Sequence, residues 1–123
     1  MIRGQVNAFN QAVVPLQLNG PNKQTEIVQA VLDTGFDGFL AVPPDLAARL
    51  QLPFGMSRFY ELGDGITVEF DIHRSTVFWD GQERDVEALV TSGGVLLGMA
   101  LLRNSQLFVD VIDGGEVRIE ARP

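Results

Sequence analysis

Residues 63–73 read Gly63-Asp64-Gly65-Ile66-Thr67-Val68-Glu69-Phe70-Asp71-Ile72-His73, a turn followed by strict alternation. Ile66, Val68, Phe70 and Ile72 fall on one side of an extended chain, and Thr67, Glu69, Asp71 and His73 on the other. That period of two is what a half-buried strand requires. An acid between two glycines tolerates the positive φ of a tight turn, and Phe59-Tyr60-Glu61-Leu62 lies just upstream, so 58–73 is predicted to be a β-hairpin. Asp80-Gly81-Gln82 joins a strand over 75–79 to one over 83–91 in the same way, and Asp113-Gly114-Gly115 joins 106–112 to 116–120. Three such turns imply several antiparallel pairs.

Working outward, strands are predicted over 2–9, 13–18 and 25–32, with a loop at Gly20-Pro21-Asn22. Pro43-Pro44-Asp45 starts a short helix, because proline fits a first helical turn and an acid there complements the helix dipole. Leu46 and Leu50 share one face of it, and Pro53 bars its continuation. A second short helix is predicted from Met99 to Arg103. The rhythm of 13 glycines and 6 prolines between short apolar segments belongs to an all-β barrel or sandwich with one or two short helices. A chain of 123 residues with no repeat, linker or low-complexity tract is expected to form one domain over 1–123.

Composition narrows the functions. The chain is 46% hydrophobic and 20% charged, ordinary for a globular protein. Nine basic residues against sixteen acidic ones leave a formal charge of -7, and no Lys/Arg cluster occurs. Nucleic acid and anionic membrane are therefore not expected as partners. Without cysteine there is neither a disulfide framework nor a thiolate metal site. The opening Met1-Ile2-Arg3-Gly4-Gln5 lacks a signal-like apolar core, and no apolar run reaches membrane-spanning length, so a cytoplasmic protein is expected.

The residues that carry chemistry stand at the end of the third strand, Val31-Leu32-Asp33-Thr34-Gly35. A carboxylate leaving a buried strand sits where core meets cleft, the position from which it can act as an acid or base. The simpler reading of the triplet is a turn in which Asp33 caps backbone amides. Further along, Val95-Leu96-Leu97-Gly98-Met99 places glycine after an apolar run, ahead of the second helix.

In that order and spacing, with a glycine-tipped hairpin between the two motifs, the chain resembles the retroviral-type (retropepsin-like) aspartic proteases, especially their single-lobed prokaryotic relatives. The resemblance runs from about Val6 to Val111. It implies a closed acid-protease β-barrel, with Asp33 catalytic and Thr34 and Gly35 shaping the loop around it. It also implies that Leu96-Leu97-Gly98 packs behind that loop and that the hairpin at about Phe59 to Val68 is a flap closing over a peptide. On this reading Phe36, Asp37, Tyr60, Leu62, Gly63, Asp64, Gly65 and Leu97 are expected at the substrate. The chain holds a single Asp-Thr-Gly triplet, whereas the family mechanism needs two aspartates facing one water. A homodimer is therefore implied, in which two Asp33 carboxyls share one proton and activate the water that hydrolyses a peptide bond. No metal or organic cofactor is implied.

Several positions depart from the family pattern. Phe36 stands where Ala or Ser is usual. Met99 replaces an arginine that pairs with the acid at Asp37 in the viral enzymes, which leaves Asp37 either to Arg103 or to solvent. The flap tip carries Asp64, whose simplest reading is a solvated turn residue, and 113–123 adds a terminal hairpin that alters the interleaving of chain ends. Tyr60 either touches substrate or covers the core. His73 has no partner motif for metal binding, and Trp79 reads as packing. Phe36 and Asp64 favour an alternative, a catalytically inactive module of the same fold that dimerises or binds a peptide strand; the intact triplet favours the endopeptidase.

Overall fold

The computed structural model describes all residues, 1–123. In chain order it contains β1 (Ile2–Val6), β2 (Ala12–Asn19), β3 (Thr25–Leu32), β4 (Leu40–Val42), α1 (Pro44–Arg49), β5 (Phe54–Glu61), β6 (Thr67–Trp79), β7 (Gln82–Val90), β8 (Val95–Leu97), α2 (Met99–Leu102), β9 (Ser105–Val109) and β10 (Glu116–Ala121). The strands form one sheet in the order β5-β6-β7-β4-β8-β3-β2-β1-β10-β9, and a further pairing of β6 with β2 closes six of them into a barrel. Outside the ring, β5 extends β6 as a hairpin, and β1-β10-β9 continues from β2 as a flanking sheet.

Two apolar clusters lie on opposite sides of the strands near Asp33. The main core gathers Val14, Leu16, Leu18, Leu40, Val42, Val77, Trp79, Val86, Ala88, Val95, Leu97, Leu101, Val117 and Ile119, among others. A smaller cluster of Ala41, Ile72 and Leu89 carries Phe36, Tyr60, Phe70 and Leu96 against it. Neighbours along one strand thus enter different clusters, as Leu40 and Ala41 do, because successive side chains of a strand point to opposite faces.

The same rule explains a correction. The sequence reads two strands, one ending at His73 and one starting at Ser75, but the chain runs as a single thirteen-residue strand, β6. Its flap half buries even positions, ending at Ile72 in the smaller cluster, while its barrel half buries Ser75, Val77 and Trp79. The change of buried face looks like a break in the pattern, although the backbone is continuous. Ile66, assigned to the inward face, lies in the flap turn at 58% exposure.

Three further differences have local causes. The strand expected over 2–9 ends at Val6, because the Asn7 side chain accepts the N–H groups of Phe9 and Gln11 and turns the chain. The hairpin expected over 58–73 starts at Phe54, four residues earlier. The three-residue strands β4 and β8 were not foreseen, nor were the parallel pairings of β3 with β8 and β4 with β7. Both helices form as expected; in α1, Asp45 in the first turn pairs with Arg49 in the last at 2.9 Å. No helix is long and apolar enough to cross a membrane.

Candidate active site

Asp33 follows the last residue of β3, and its backbone N–H donates to the Leu97 carbonyl at 2.9 Å. That bond continues the parallel β3–β8 ladder, in which Leu32 stands beside Leu97. One carboxylate oxygen, Oδ1, accepts the Gly35 N–H at 2.9 Å, and the Asp33 carbonyl accepts the Phe36 N–H at 3.1 Å. The triplet is therefore a turn capped by its own acid, as the simpler reading has it, and the same bond fixes the carboxyl at the mouth of a hollow. The acid-capped turn and the catalytic placement are compatible.

The apolar-apolar-Gly motif lies directly against this loop. Gly98 donates to the Phe39 carbonyl at 2.9 Å, Met99 to the Phe36 carbonyl at 2.8 Å and Ala100 to the Gly38 carbonyl at 3.1 Å. A Cβ at position 98 would meet the Gly38 oxygen at 2.2 Å and Phe36 Cδ2 at 2.6 Å. Only glycine lets the two segments approach this closely.

The hollow beside Asp33 has a volume of about 280 Å³ and includes Asp33, Gly35, Phe36, Asp37, Tyr60 and Leu62 from the residues expected at the site. Its other walls are Ala41, Glu61, Phe70, Leu89, Thr91 and Leu96. The Phe36 ring is half-buried and packs on the smaller cluster, so it forms part of the wall. Tyr60 meets Phe70 edge-on, with ring centroids 5.7 Å apart, and so covers the cluster and faces the hollow at once. A larger hollow of about 510 Å³, bounded by Trp79, Arg84 and Arg103 among others, contains none of the residues assigned to the site.

Other assignments change. Leu97 is fully buried in the main core and does not face the hollow; Leu96 does. Pairing decides this: Leu97 stands opposite Leu40 and Leu96 opposite Ala41, so each leucine joins its partner's cluster. Gly63, Asp64 and Gly65 are exposed at the flap tip, outside the hollow. Asp64 Oδ1 accepts the Ile66 N–H at 3.0 Å, Leu62 and Gly65 close the turn through backbone bonds, and Gly65 takes φ +82°. The acid at the tip thus has a local reason. Thr34 is exposed and its hydroxyl makes no hydrogen bond within the chain. Asp37 is exposed and has no ion pair with Arg103.

At the base of the flap, Arg58 of β5 reaches across β6 to Glu87 of β7 with two contacts, 3.1 and 3.3 Å. The Glu87 carboxylate raises the Arg58 pKa above its ordinary value. His73 places Nδ1 2.9 Å from the Leu52 carbonyl and its ring edge against Phe54, which gives it a packing role. Trp79 is buried in the main core. No group of three or more His, Cys, Asp or Glu side chains stands close enough to hold a metal.

The sequence alone missed Ala41, Leu89, Thr91 and Leu96 as walls of the hollow. In β7 the signal lay in Leu89, the residue breaking the alternation that buries Val86 and Ala88. No protein-family profile matches the chain, and no curated protein matches it in sequence. Its backbone is similar to the EIAV protease solved with the inhibitor HBY-793, with a TM-score of 0.57, 21% identity, and coverage of 79% of this chain and 89% of that one. It is similar also to a retropepsin-like aspartic protease from Rickettsia conorii, with a TM-score of 0.58, 19% identity, and coverage of 97% of this chain and 90% of that one. The six-stranded barrel, the glycine-tipped hairpin beside Asp33 and these two likenesses together make the fold retropepsin-like.

Proposed function

We propose that the protein is an aspartic endopeptidase that works as a homodimer, with the Asp33 carboxyls of two copies facing one water. The observation that carries this reading is Asp33 itself: a carboxyl fixed by the Gly35 N–H at the edge of an apolar hollow, beside a hairpin long enough to cover it. One carboxyl per chain is half of an acid–base pair. Two such groups in contact cannot both ionise, so the pair holds one proton. The ionised member takes a proton from water as the oxygen attacks the scissile carbonyl. The protonated member donates to the carbonyl oxygen, and the tetrahedral intermediate collapses as the leaving nitrogen is protonated.

The walls indicate the substrate class. Phe36, Ala41, Phe70, Leu89 and Leu96 are apolar, which suits an extended peptide with apolar side chains beside the scissile bond. Phe36 takes up room next to Asp33 and limits the size of those side chains. The net charge of -7 disfavours nucleic acid and anionic membrane as partners. The single domain acts without metal or organic cofactor.

The test compares wild type with Asp33→Asn on a peptide library. The asparagine oxygen still accepts the Gly35 N–H, so the variant should keep its fold and its dimer while cleavage falls by at least about a hundredfold, the scale on which losing an acid–base group is felt. Cleavage at the wild-type rate would remove Asp33 from the chemistry. A dimer that cleaves nothing between pH 3 and 8 would leave the peptide-binding module as the function.

A further inference from the structure

The larger hollow, of about 510 Å³, shares no wall residue with the one beside Asp33 and differs from it in chemistry. In the β6–β7 ladder Val77 stands opposite Arg84, and Trp79 opposite Gln82. Opposed residues share a face of the sheet, and Val77 and Trp79 belong to the main core, so Arg84 and Gln82 occupy core-facing positions. Further along β7 the same face carries Val86 and Ala88, both buried in that core. The face therefore turns from apolar to polar at Arg84, where the strand leaves the packed interior and borders the hollow. Phe39, Trp79 and Ile119 give the hollow an apolar side, and Arg103, at the end of α2, brings a second guanidinium.

A charge at a core-facing position ordinarily has a partner, because taking it out of water without one is costly. Arg3, Arg49, Arg58 and Arg118 each pair with a carboxylate, whereas Arg84, half-buried, and Arg103 have neither an ion pair nor a side-chain hydrogen bond. Acids are not scarce in this chain, which has sixteen of them against nine bases. The one acid on the walls, Asp80, is engaged by the Met1 ammonium. Two guanidiniums thus line one half-apolar hollow with no free carboxylate of the chain to meet them.

We propose that this hollow binds a small organic anion, a carboxylate on an apolar body, with the headgroup held by Arg84 and Arg103 and the body against Phe39, Trp79 and Ile119. A guanidinium offers parallel N–H groups that match the two oxygens of a carboxylate. The volume lies within the range of small-molecule sites, roughly 300–1,000 Å³. The walls also reach the Asp33 segment from behind. The Phe39 carbonyl accepts the Gly98 N–H at 2.9 Å, and Ala100, another wall residue, donates to the Gly38 carbonyl at 3.1 Å. A ligand seated here touches that segment without entering the hollow beside Asp33, and the site is independent of whether the protein cleaves peptides.

Trp79 is the only tryptophan of the chain and walls the hollow, so its emission reports occupancy. Phenylbutyrate titrated into the full-length protein at low salt should change that emission saturably. Phenylbutanol, the same body without the charge, should need at least about tenfold more. Arg84→Met and Arg103→Met keep most of the stem and remove the charge; each should weaken phenylbutyrate at least about tenfold while melting as wild type does. Arg84→Lys keeps a charge without the planar fork and should fall between. Inorganic phosphate lacks the apolar body and should compete weakly; competition equal to that of phenylbutyrate would overturn the ligand class. No saturable change up to about 10 mM, a weak affinity by any standard, would overturn the site. So would equal binding of the alcohol, or unchanged binding in both Met variants. Should Arg84→Met fail to fold, Arg103→Met, at an exposed position, decides alone.

Discussion

The Phe36 ring and the backbone of Gly98 occupy adjoining space so completely that a Cβ on Gly98 would stand 2.6 Å from the ring. The same Cβ would stand 2.2 Å from the Gly38 carbonyl oxygen. Motif and Asp33 loop are therefore one packed unit, and the position of Asp33 depends on a residue far along the chain.

Gly98→Ala should destabilise the protein by about 1–3 kcal/mol or more, the range for forcing extra volume into a packed site. The three atoms nearest a Cβ at position 38 all belong to the Phe36 ring, Cζ first at 2.6 Å. The cost of Gly38→Ala should shrink in a Phe36→Ala background, whereas that of Gly98→Ala should persist because a backbone carbonyl remains in the way. A double-mutant cycle by urea denaturation measures both couplings. Equal relief of the two would show that the carbonyl contact yields freely.

Phe36→Ala should act on stability and specificity together, because the ring is half-buried and also walls the hollow. The expected loss is about 2 kcal/mol, below the cost of a fully buried ring. Cleavage should extend to bulkier side chains beside the scissile bond. Thermal denaturation and library profiling read the two effects; a larger loss with an unchanged cleavage profile would make Phe36 a core residue only.

Asp64→Ala removes the acceptor for the Ile66 N–H and should loosen the flap tip without affecting the barrel. Hydrogen exchange at Ile66 should speed up by about fivefold, as for a lost bond of ~1 kcal/mol. The melting temperature should stay put. Asp64→Asn keeps an acceptor oxygen and should exchange as wild type does.

Arg49 bridges Glu26 of β3 and Asp45 of α1 at 3.0 and 2.9 Å. Its hydrogen bonds hold both carboxyls below their ordinary range. A carboxyl whose pKa is depressed on folding contributes stability above its unfolded value, near ~4, and loses it as pH falls through the folded value. Arg49→Met should therefore melt below wild type at pH 7, with the gap closing from about pH 4 downward. A gap that stays constant to pH 2 would mean that Arg49 acts through its packed stem alone.

The hairpins were legible because their turns carry glycine beside an acid, chemistry that is local. β3 was legible to the residue, since Thr25 and Leu32 bound a run with clear ends. What stayed hidden depends on distant partners. Val95, Leu96 and Leu97 form an apolar run with no alternation to show which side faces where, and only pairing with β4 sends Leu97 to the core and Leu96 to the hollow. Leu40–Val42 is too short to carry a pattern and is a strand only because β7 and β8 flank it. Around the hollow, Asp33, Gly35, Phe36, Asp37, Tyr60 and Leu62 could be named from the triplet and the hairpin, but Ala41, Leu89, Thr91 and Leu96 come from strands brought together by barrel closure.

The continuity of β6 sets the mechanics of the flap. The β6–β7 ladder grips β6 from Trp79 up to Asp71, and beyond it only the rungs from Phe70 to Thr67 are shared with β5 alone. The part free to swing is thus a cantilever of four rungs, about 14 Å at the usual rise of a strand. A two-stranded ribbon of that length is flexible by itself, whereas its root is clamped in the barrel wall and tied by Arg58 to Glu87. Displacing the hairpin tip then costs a bend near Asp71 and no unzipping of the barrel, because the last β7 rung marks where the clamp ends.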